Sequence, residues 1–212
     1  MQRALGREPV FIGGRRVTSH ADLELLRMVL SGVVNKRLVN KLAANGLPAV
    51  GLSGEDGKLI EGEAIDRATL GLAGKPVGVN ARLLRSLLAA GFLPVISPVA
   101  SDAASPEGGA LNVNGDDAAA AIAVALGAEE LLLVADVEGV KNADGVIVTS
   151  LSSDAATELI ASGVAAGGMS AKIESAQAAL SAGVASVRIC DLKGVADPER
   201  GTVITQSQSV AI

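Results

Sequence analysis

Tryptophan and tyrosine are absent from the chain, and phenylalanine occurs only twice. Proteins that hold single-stranded nucleic acid stack bases on aromatic rings, and duplex binders present a basic face. The formal net charge here is -5, so the expectation is no nucleic-acid partner. Cysteine and histidine each occur once. One cysteine closes no internal disulfide and makes a metal cluster improbable, which fits a reducing compartment. Cys190 ends the run Val187-Arg188-Ile189-Cys190 and reads as a buried strand thiol rather than a nucleophile. No run of about 18 apolar residues lacks a charge, a glycine or a turn residue, as a spanning helix requires. The opening MQRALGREPV has no apolar signal-peptide core. These absences predict a cytoplasmic protein with no membrane partner.

Apolar residues make up 49% of the 212 positions and charged residues 19%. The apolar excess is mostly Ala, Val and Leu in short runs, the composition of a parallel sheet covered on both faces by helices. The length suffices for one domain with a real core, with room for a small second lobe. Ser19 with Asp22 reads as a helix cap, and Leu23, Leu26, Leu30, Val33 and Val34 follow at helical spacing toward Asn45-Gly46. A strand is predicted over Pro48–Leu52, and hairpin-like turn residues run through 61–78. Asn80 caps a helix ending at Gly91, and Phe92–Val99 is a strand. Asp116 opens an Ala-rich helix that stops at Gly127, Leu131–Val134 is an apolar strand, and Asp154 caps a helix closing at Gly163. A last long helix runs over about 169–182, with strands at Val184–Ile189 and Thr202–Thr205. This alternation predicts an α/β three-layer sandwich with a mainly parallel sheet, and a smaller hairpin region over 53–78 lying above the site. In such sheets ligands lie outside the carboxyl ends of the strands.

Four segments near such ends carry candidate chemistry. Gly13-Gly14-Arg15-Arg16-Val17-Thr18 joins glycines, which let backbone approach a ligand, to an arginine fork that can hold a carboxylate; a surface turn with solvated arginines is the plainer alternative. In Leu111-Asn112-Val113-Asn114-Gly115-Asp116-Asp117, alternation puts Asn112 and Asn114 on one face, while either acid can be an ordinary helix-start residue. Ala135-Asp136-Val137-Glu138-Gly139-Val140 places an acid after an apolar strand, suited to a ribose or a metal, or simply to a turn. Gly167-Gly168-Met169-Ser170-Ala171-Lys172 opens a helix whose free N–H groups make an anion site. A lysine in the first turn opposes the helix dipole, which makes sense if a phosphate sits between them. Lone His20, near a helix start, reads as solvated rather than as a catalytic base.

In this order, the segments resemble the amino-acid kinase family and, within it, the acetylglutamate kinase branch. The resemblance also rests on Met28-Val29-Leu30-Ser31-Gly32-Val33-Val34-Asn35-Lys36 and Gly51-Leu52-Ser53-Gly54, and it spans almost the whole chain. Gly-Gly-Met-x-x-Lys marks the broad family, and Arg-Val-Thr with Asn-Val-Asn points to the branch. The resemblance implies phosphorylation of the side-chain carboxylate of N-acetylglutamate by ATP with Mg2+, a step of arginine biosynthesis; a homodimer is the expected assembly. It implies that Arg16 holds the substrate's α-carboxylate, with Asn112 and Asn114 beside it. Asp116 would orient the catalytic lysines and Lys172 would stabilise the phosphoryl group in transfer. Asp136, Val137, Gly139, Gly167, Gly168 and Met169 would line the nucleotide site, with no metal held by the protein alone. Arg16, Asn112, Asp116 and Lys172 are expected to face one cleft. Residues 1–115 would form mainly the substrate side of a single kinase domain and residues 116–212 the nucleotide side.

Two departures accompany the resemblance. Family members normally begin with a strand carrying a lysine and a glycine pair, then a strand ending in a histidine and a run of glycines. Here Met1–Leu5 resembles the helix after those turns, so the expectation is weak or no phosphoryl transfer by this chain as written. Gly115 stands where the family has alanine. Rival readings are a kinase for a related or carrier-linked amino acid, a nicotinamide oxidoreductase, and a non-catalytic kinase-like subunit. Arg16-Val17-Thr18 favours the free acetylated amino acid over the first. The second predicts a Gly-x-Gly-x-x-Gly turn after an early strand, which does not occur.

Overall fold

A computed structural model of the chain describes residues 8–12, 14–105 and 107–207. The expected helix at Met1–Leu5, and Gly13 of the first glycine motif, lie outside the described residues. The fold is α/β, as expected, but its main strands divide between two mixed sheets. The chain forms two compact units, Met1–Ala125 and Leu126–Ile212.

The first unit starts with a ribbon of β1 (Phe11–Ile12) and β2 (Arg15–Arg16), paired antiparallel. Ser19 then makes the expected capping box: its hydroxyl accepts from the Asp22 N–H, and the Asp22 carboxylate accepts from the Ser19 N–H. Helix α1 (His20–Leu26) passes into a π-helical segment, Arg27–Val34, and then into α2 (Asn35–Ala44). The periodicity foretold one continuous helix; the wide π turns inside it carry no simple sequence mark. Side chains at four-residue steps tie this segment to the sheet below. Arg27 donates to Glu55, Ser31 and Ser97 hydroxyls lie 2.7 Å apart, and the Asn35 amide donates to the Leu52 and Val95 carbonyls. A Cβ at Gly51 would lie 2.0 Å from Asn35 Oδ1, so glycine there makes room for the asparagine.

The five-stranded sheet runs β3 (Ala49–Gly54), β6 (Leu93–Asp102), β4 (Ile60–Ala64), β5 (Ala73–Val79), β7 (Ala110–Val113). The hairpin β4–β5 is thus built into the sheet, between β6 and β7, rather than laid above it. Helix α3 (Ala81–Ala89) is capped by Asn80 as predicted. Helix α4 (Gly115–Leu126) is capped by Asn114, whose side-chain oxygen accepts from the Asp116 N–H at 2.8 Å, so Asp116 falls in the first turn. Leu23, Leu72, Val99, Ala110 and Leu111 form a buried cluster between α1 and the sheet.

The second unit holds a four-stranded sheet ordered β8 (Glu130–Val134), β10 (Ser186–Cys190), β11 (Thr202–Thr205), β9 (Ser150–Ser152). Strand β9 escapes the sequence reading because it is three residues long and two of them are serine. Helix α5 (Ser153–Ala161) is capped by Ser152, whose backbone is extended and whose hydroxyl accepts from the Ala155 N–H; Asp154 is again a first-turn residue. Helix α6 (Gly168–Ser181) packs on β10 and α5. Ile173, Ala176, Ala179 and Leu180 of α6 are buried, and so are Val187, Ile189 and Cys190 of β10. No helix among the described residues is long and apolar enough to cross a membrane.

One crossing fixes the entrance of the chain to the first sheet. The Thr18 N–H donates to the Leu70 carbonyl and the Leu72 N–H donates to the Thr18 carbonyl, a bridge across Gly71. Gly71 has φ 63°, and a Cβ there would lie 2.4 Å from the Thr18 oxygen. Gly71→Ala is therefore expected to lower unfolding stability by about 1–3 kcal/mol. Gly115→Ala, whose Cβ would meet nothing within 4 Å, should stay within about 0.5 kcal/mol of the parent. Urea unfolding of both variants checks this contrast.

Candidate active site

In the first unit, a cavity of about 260 Å³ opens between the β1–β2 ribbon, the helix and the strand ends. That is near the lower limit of small-molecule sites, about 300 Å³. The cavity's polar lining comes from Arg15, Arg16, Asn112 and Asn114, beside Gly115. Its apolar lining includes Phe11, Leu26, Leu30, Ile65, Pro98 and Val113. The structure thus brings the three predicted substrate residues, Arg16, Asn112 and Asn114, to one cavity. Leu26 and Leu30 are set there by the helical segment, one step before Arg27 and Ser31, which hold it to the sheet.

Asn112 is positioned from two sides. Its N–H donates to the Leu72 carbonyl, and its amide donates to Thr18 Oγ1 at 3.0 Å, which donates in turn to the Arg16 carbonyl at 3.0 Å. Thr18, wholly buried, therefore couples Asn112 to the backbone of Arg16. Arg16 Nε is buried and has no hydrogen-bond partner. A buried donor left unpaired costs about 1–3 kcal/mol, more when the group is charged. An anion accepting that bond from within the cavity would remove the penalty.

A larger cavity of about 470 Å³ in the same unit is lined by His20, Arg27, Arg67 and Asp102, among others. Its charges are satisfied internally: Arg27 pairs with Glu55 and Glu24, and Arg67 with Asp102. Its guanidinium groups have partners where Arg16 Nε has none, which favours the smaller cavity as the site. His20 is exposed on the first turn of α1, as expected.

In the second unit a cavity of about 300 Å³ is lined by Val137, Gly139, Val140, Lys141, Val164, Ala165, Ala166 and Met169. Three predicted nucleotide residues, Val137, Gly139 and Met169, meet there. Asp136 follows the carboxyl end of β8 but is not part of that lining. Gly167 and Gly168 lead into α6; Gly167 adopts φ 58°, ψ -124°, and nothing lies within 4 Å of where either Cβ would stand. The turn is thus open above its backbone. Gly139 has a second reason to be glycine, because a Cβ would lie 2.6 Å from Thr202 Oγ1, which accepts from the Val140 N–H. Lys172 is the fifth residue of α6, half-buried and one place beyond the first turn expected for it. The register of α6 is held by Gln177, which donates to the Ser153 carbonyl and to Thr157 Oγ1 of α5.

Sequence reasoning missed three contributors. Arg15 donates to Asp117 at 2.8 Å, across 102 residues, a partnership that no local spacing announces. Lys141 joins the second cavity through a small hairpin in which Lys141 bridges Ile147 and Asn142 closes the turn. Arg200 gives two bonds to Asp191, at 2.8 and 2.7 Å, and a third to Glu138 at 3.0 Å, tying the 136–139 loop to the end of β10.

Chiefly through those Arg200 bonds, Asp191 is held well below the usual carboxylate range and Arg200 is raised above its own. A depressed carboxylate contributes stability that is present above its unfolded value near 3.8 and lost as pH falls through the folded one. The thermal midpoint should therefore drop between about pH 5 and pH 2, with Asp191→Asn showing a shallower drop over that interval. Calorimetry across the acid range measures the difference.

The comparisons with known proteins bear on both units. The profile of the Amino acid kinase family matches residues 1–191. The chain is 50% identical over 181 residues to an acetylglutamate kinase of Ruegeria sp. (strain TM1040), covering 85% of this chain and 62% of that one. It thus spans less than two thirds of that curated relative's length. Among solved structures, smu.665 of Streptococcus mutans UA159 superposes with a TM-score of 0.87 at 30% identity, over 97% of this chain and 80% of that one. An N-acetylglutamate synthase of Neisseria gonorrhoeae, complexed with coenzyme A and N-acetyl-glutamate, gives 0.83 at 28% identity, over 98% and 49%.

Proposed function

The chain belongs to the amino acid kinase family, and from that premise we propose that its groups serve ATP-dependent phosphorylation of the side-chain carboxylate of N-acetylglutamate, in arginine biosynthesis. The observation that carries this reading is the buried, unpartnered Nε of Arg16, a residue that lines a small cavity with both polar and apolar side chains. Arg16 donates to the α-carboxylate, a charge-assisted bond of the strong kind. Asn112 and Asn114 hold the acetylated amino group's amide. Leu26, Leu30 and Pro98 cover the methyl and methylene carbons. The identity to the Ruegeria kinase and the acetylglutamate in the Neisseria structure support the choice of ligand.

ATP takes the second unit's cavity, with its apolar wall of Val137, Val164 and Met169 against the base. The open turn at Gly167-Gly168 offers backbone N–H groups to phosphate oxygens. A substrate carboxylate oxygen attacks the γ-phosphorus, that bond forms as the bond to the ADP oxygen breaks, and ADP leaves with the electron pair. Such transfer depends on positioning and on positive charge around the group in flight. Lys172 supplies that charge, and Asp116 orients the lysines. Magnesium is held mainly by phosphate oxygens and one or two carboxylates, and no group of three acids among the described residues forms a cage for it; Asp136 is the acid suited to reach it. The reaction takes place in the cytoplasm in a homodimer, and the exposed Met28, Val33, Val34 and Leu38 are apolar surface for a second copy to cover.

Calorimetric titration separates the roles. Arg16→Ala should weaken N-acetylglutamate binding about tenfold or more, the loss of a hydrogen bond to a charged group, and leave ATP binding unchanged. Lys172→Met should keep N-acetylglutamate affinity and lower the weak phosphoryl transfer expected of the parent about 100-fold or more. Equal N-acetylglutamate affinity in the parent and Arg16→Ala would remove the reading.

A further inference from the structure

The β1–β2 ribbon has two residues in each strand, and an isolated ribbon of that size has no stability of its own in water. Its outer strand is not packed down: Val10, Phe11 and Ile12 are each more than half exposed. Its position is therefore set by its attachments. One is the Thr18 bridge across Gly71. Another is the Arg15 guanidinium, which donates to Asp117 Oδ2 at 2.8 Å in the first turn of α4. That turn is itself the positive end of the helix dipole and steadies the Asp117 carboxylate. The pair is sheltered rather than free, with side-chain exposures of 34% and 18%.

Arg15 and Arg16 are neighbours in a two-residue strand, so holding Arg15 against α4 fixes the backbone from which Arg16 projects. The pair also sorts two adjacent cations. Both arginines line the cavity, but Arg15 has its own carboxylate, whereas Arg16 Nε has no partner. A ligand with two carboxylates then meets one available guanidinium, and its second carboxylate is not captured by a second arginine. A captured carboxylate is a poorer nucleophile, because its lone pairs are engaged.

We propose that the Arg15–Asp117 ion pair is a latch that aims Arg16 into the cavity and withholds Arg15 from the ligand, making both members positioning residues for substrate. This rests on the reading that Arg16 receives a carboxylate of N-acetylglutamate. The test is a double-variant cycle on the full chain with Arg15→Gln, Asp117→Asn and the two combined. N-acetylglutamate and ATP affinities are measured separately by calorimetry, and thermal midpoints alongside.

Each single variant should bind N-acetylglutamate about three- to fivefold more weakly, as expected for a sheltered ion pair. The combined variant should be no weaker than either single one, because the lost interaction is shared. ATP affinity should stay constant, and the difference between parent and variants should shrink at high salt. Single variants that bind N-acetylglutamate as tightly as the parent overturn the latch. So do variants that lose N-acetylglutamate, ATP and thermal stability together, which indicates a purely structural pair. If Arg16→Ala loses binding while the Arg15 and Asp117 variants do not, only the latch falls. If the parent itself binds no N-acetylglutamate, the latch and the proposed function fall together.

Discussion

The bridge between Thr18 and the Leu70–Leu72 backbone is the constraint on which the first unit's site depends. It requires a glycine at position 71, because the Thr18 carbonyl occupies the space a side chain would take. It buries Thr18 completely, and so places its hydroxyl where it accepts from Asn112 and donates to the Arg16 carbonyl. The segment that carries the two arginines is thereby joined to β7, which carries Asn112. Residues almost a hundred positions apart share one cavity because of four hydrogen bonds and one missing methyl group.

On the proposed function, the two units would recognise their ligands by different means. In the first, side chains would carry the specificity: a fork of guanidinium N–H groups, two amides and aliphatic lining. Asn112 is held by bonds to Thr18 and Leu72, Asn114 by the Asp116 N–H, and the leucines by the helix segment anchored by Arg27, Ser31 and Asn35. In the second, the backbone does most of the work. An open glycine turn before α6 and the 136–139 loop at the end of β8 leave peptide groups accessible, as phosphate binding needs. The side chains there act as struts: Thr202 under Gly139 and Val140, Arg200 behind Glu138, Gln177 between α5 and α6.

Much of this was legible in the sequence, for local reasons. The helices announce themselves by caps at Ser19 and Asn80 and by glycines after their ends, because capping uses residues within three positions of each other. The Asn112/Asn114 pair follows from strand alternation, and the Gly167-Gly168 start of α6 from its glycine pair, although Lys172 falls one place beyond the first turn foreseen for it. What remained hidden depends on distant partners. The Arg15–Asp117 and Arg200–Asp191–Glu138 ties join residues that no period connects. The caps at Asn114 and Ser152 were displaced to the acids at 116 and 154, since several polar residues stood together and only the backbone conformation decides which one caps. The π-helical turns and the short β9 lack a distinctive composition. The division of the strands between two sheets is a matter of long-range pairing, which alternating strand and helix patterns do not encode.

The central claim is that the unpaired Arg16 Nε is the group that receives the ligand's carboxylate. It is tested most directly by nitrogen-15 NMR of the arginine Nε–H signals, assigned by comparison with Arg16→Lys, during titration with N-acetylglutamate. The account predicts that the Arg16 signal moves and becomes protected from solvent exchange as the ligand saturates, while those of Arg27 and Arg200, already engaged with carboxylates, stay in place. It also predicts a much smaller change with the analogue whose α-carboxylate is an amide. An Arg16 signal that stays unmoved while N-acetylglutamate binds would contradict it.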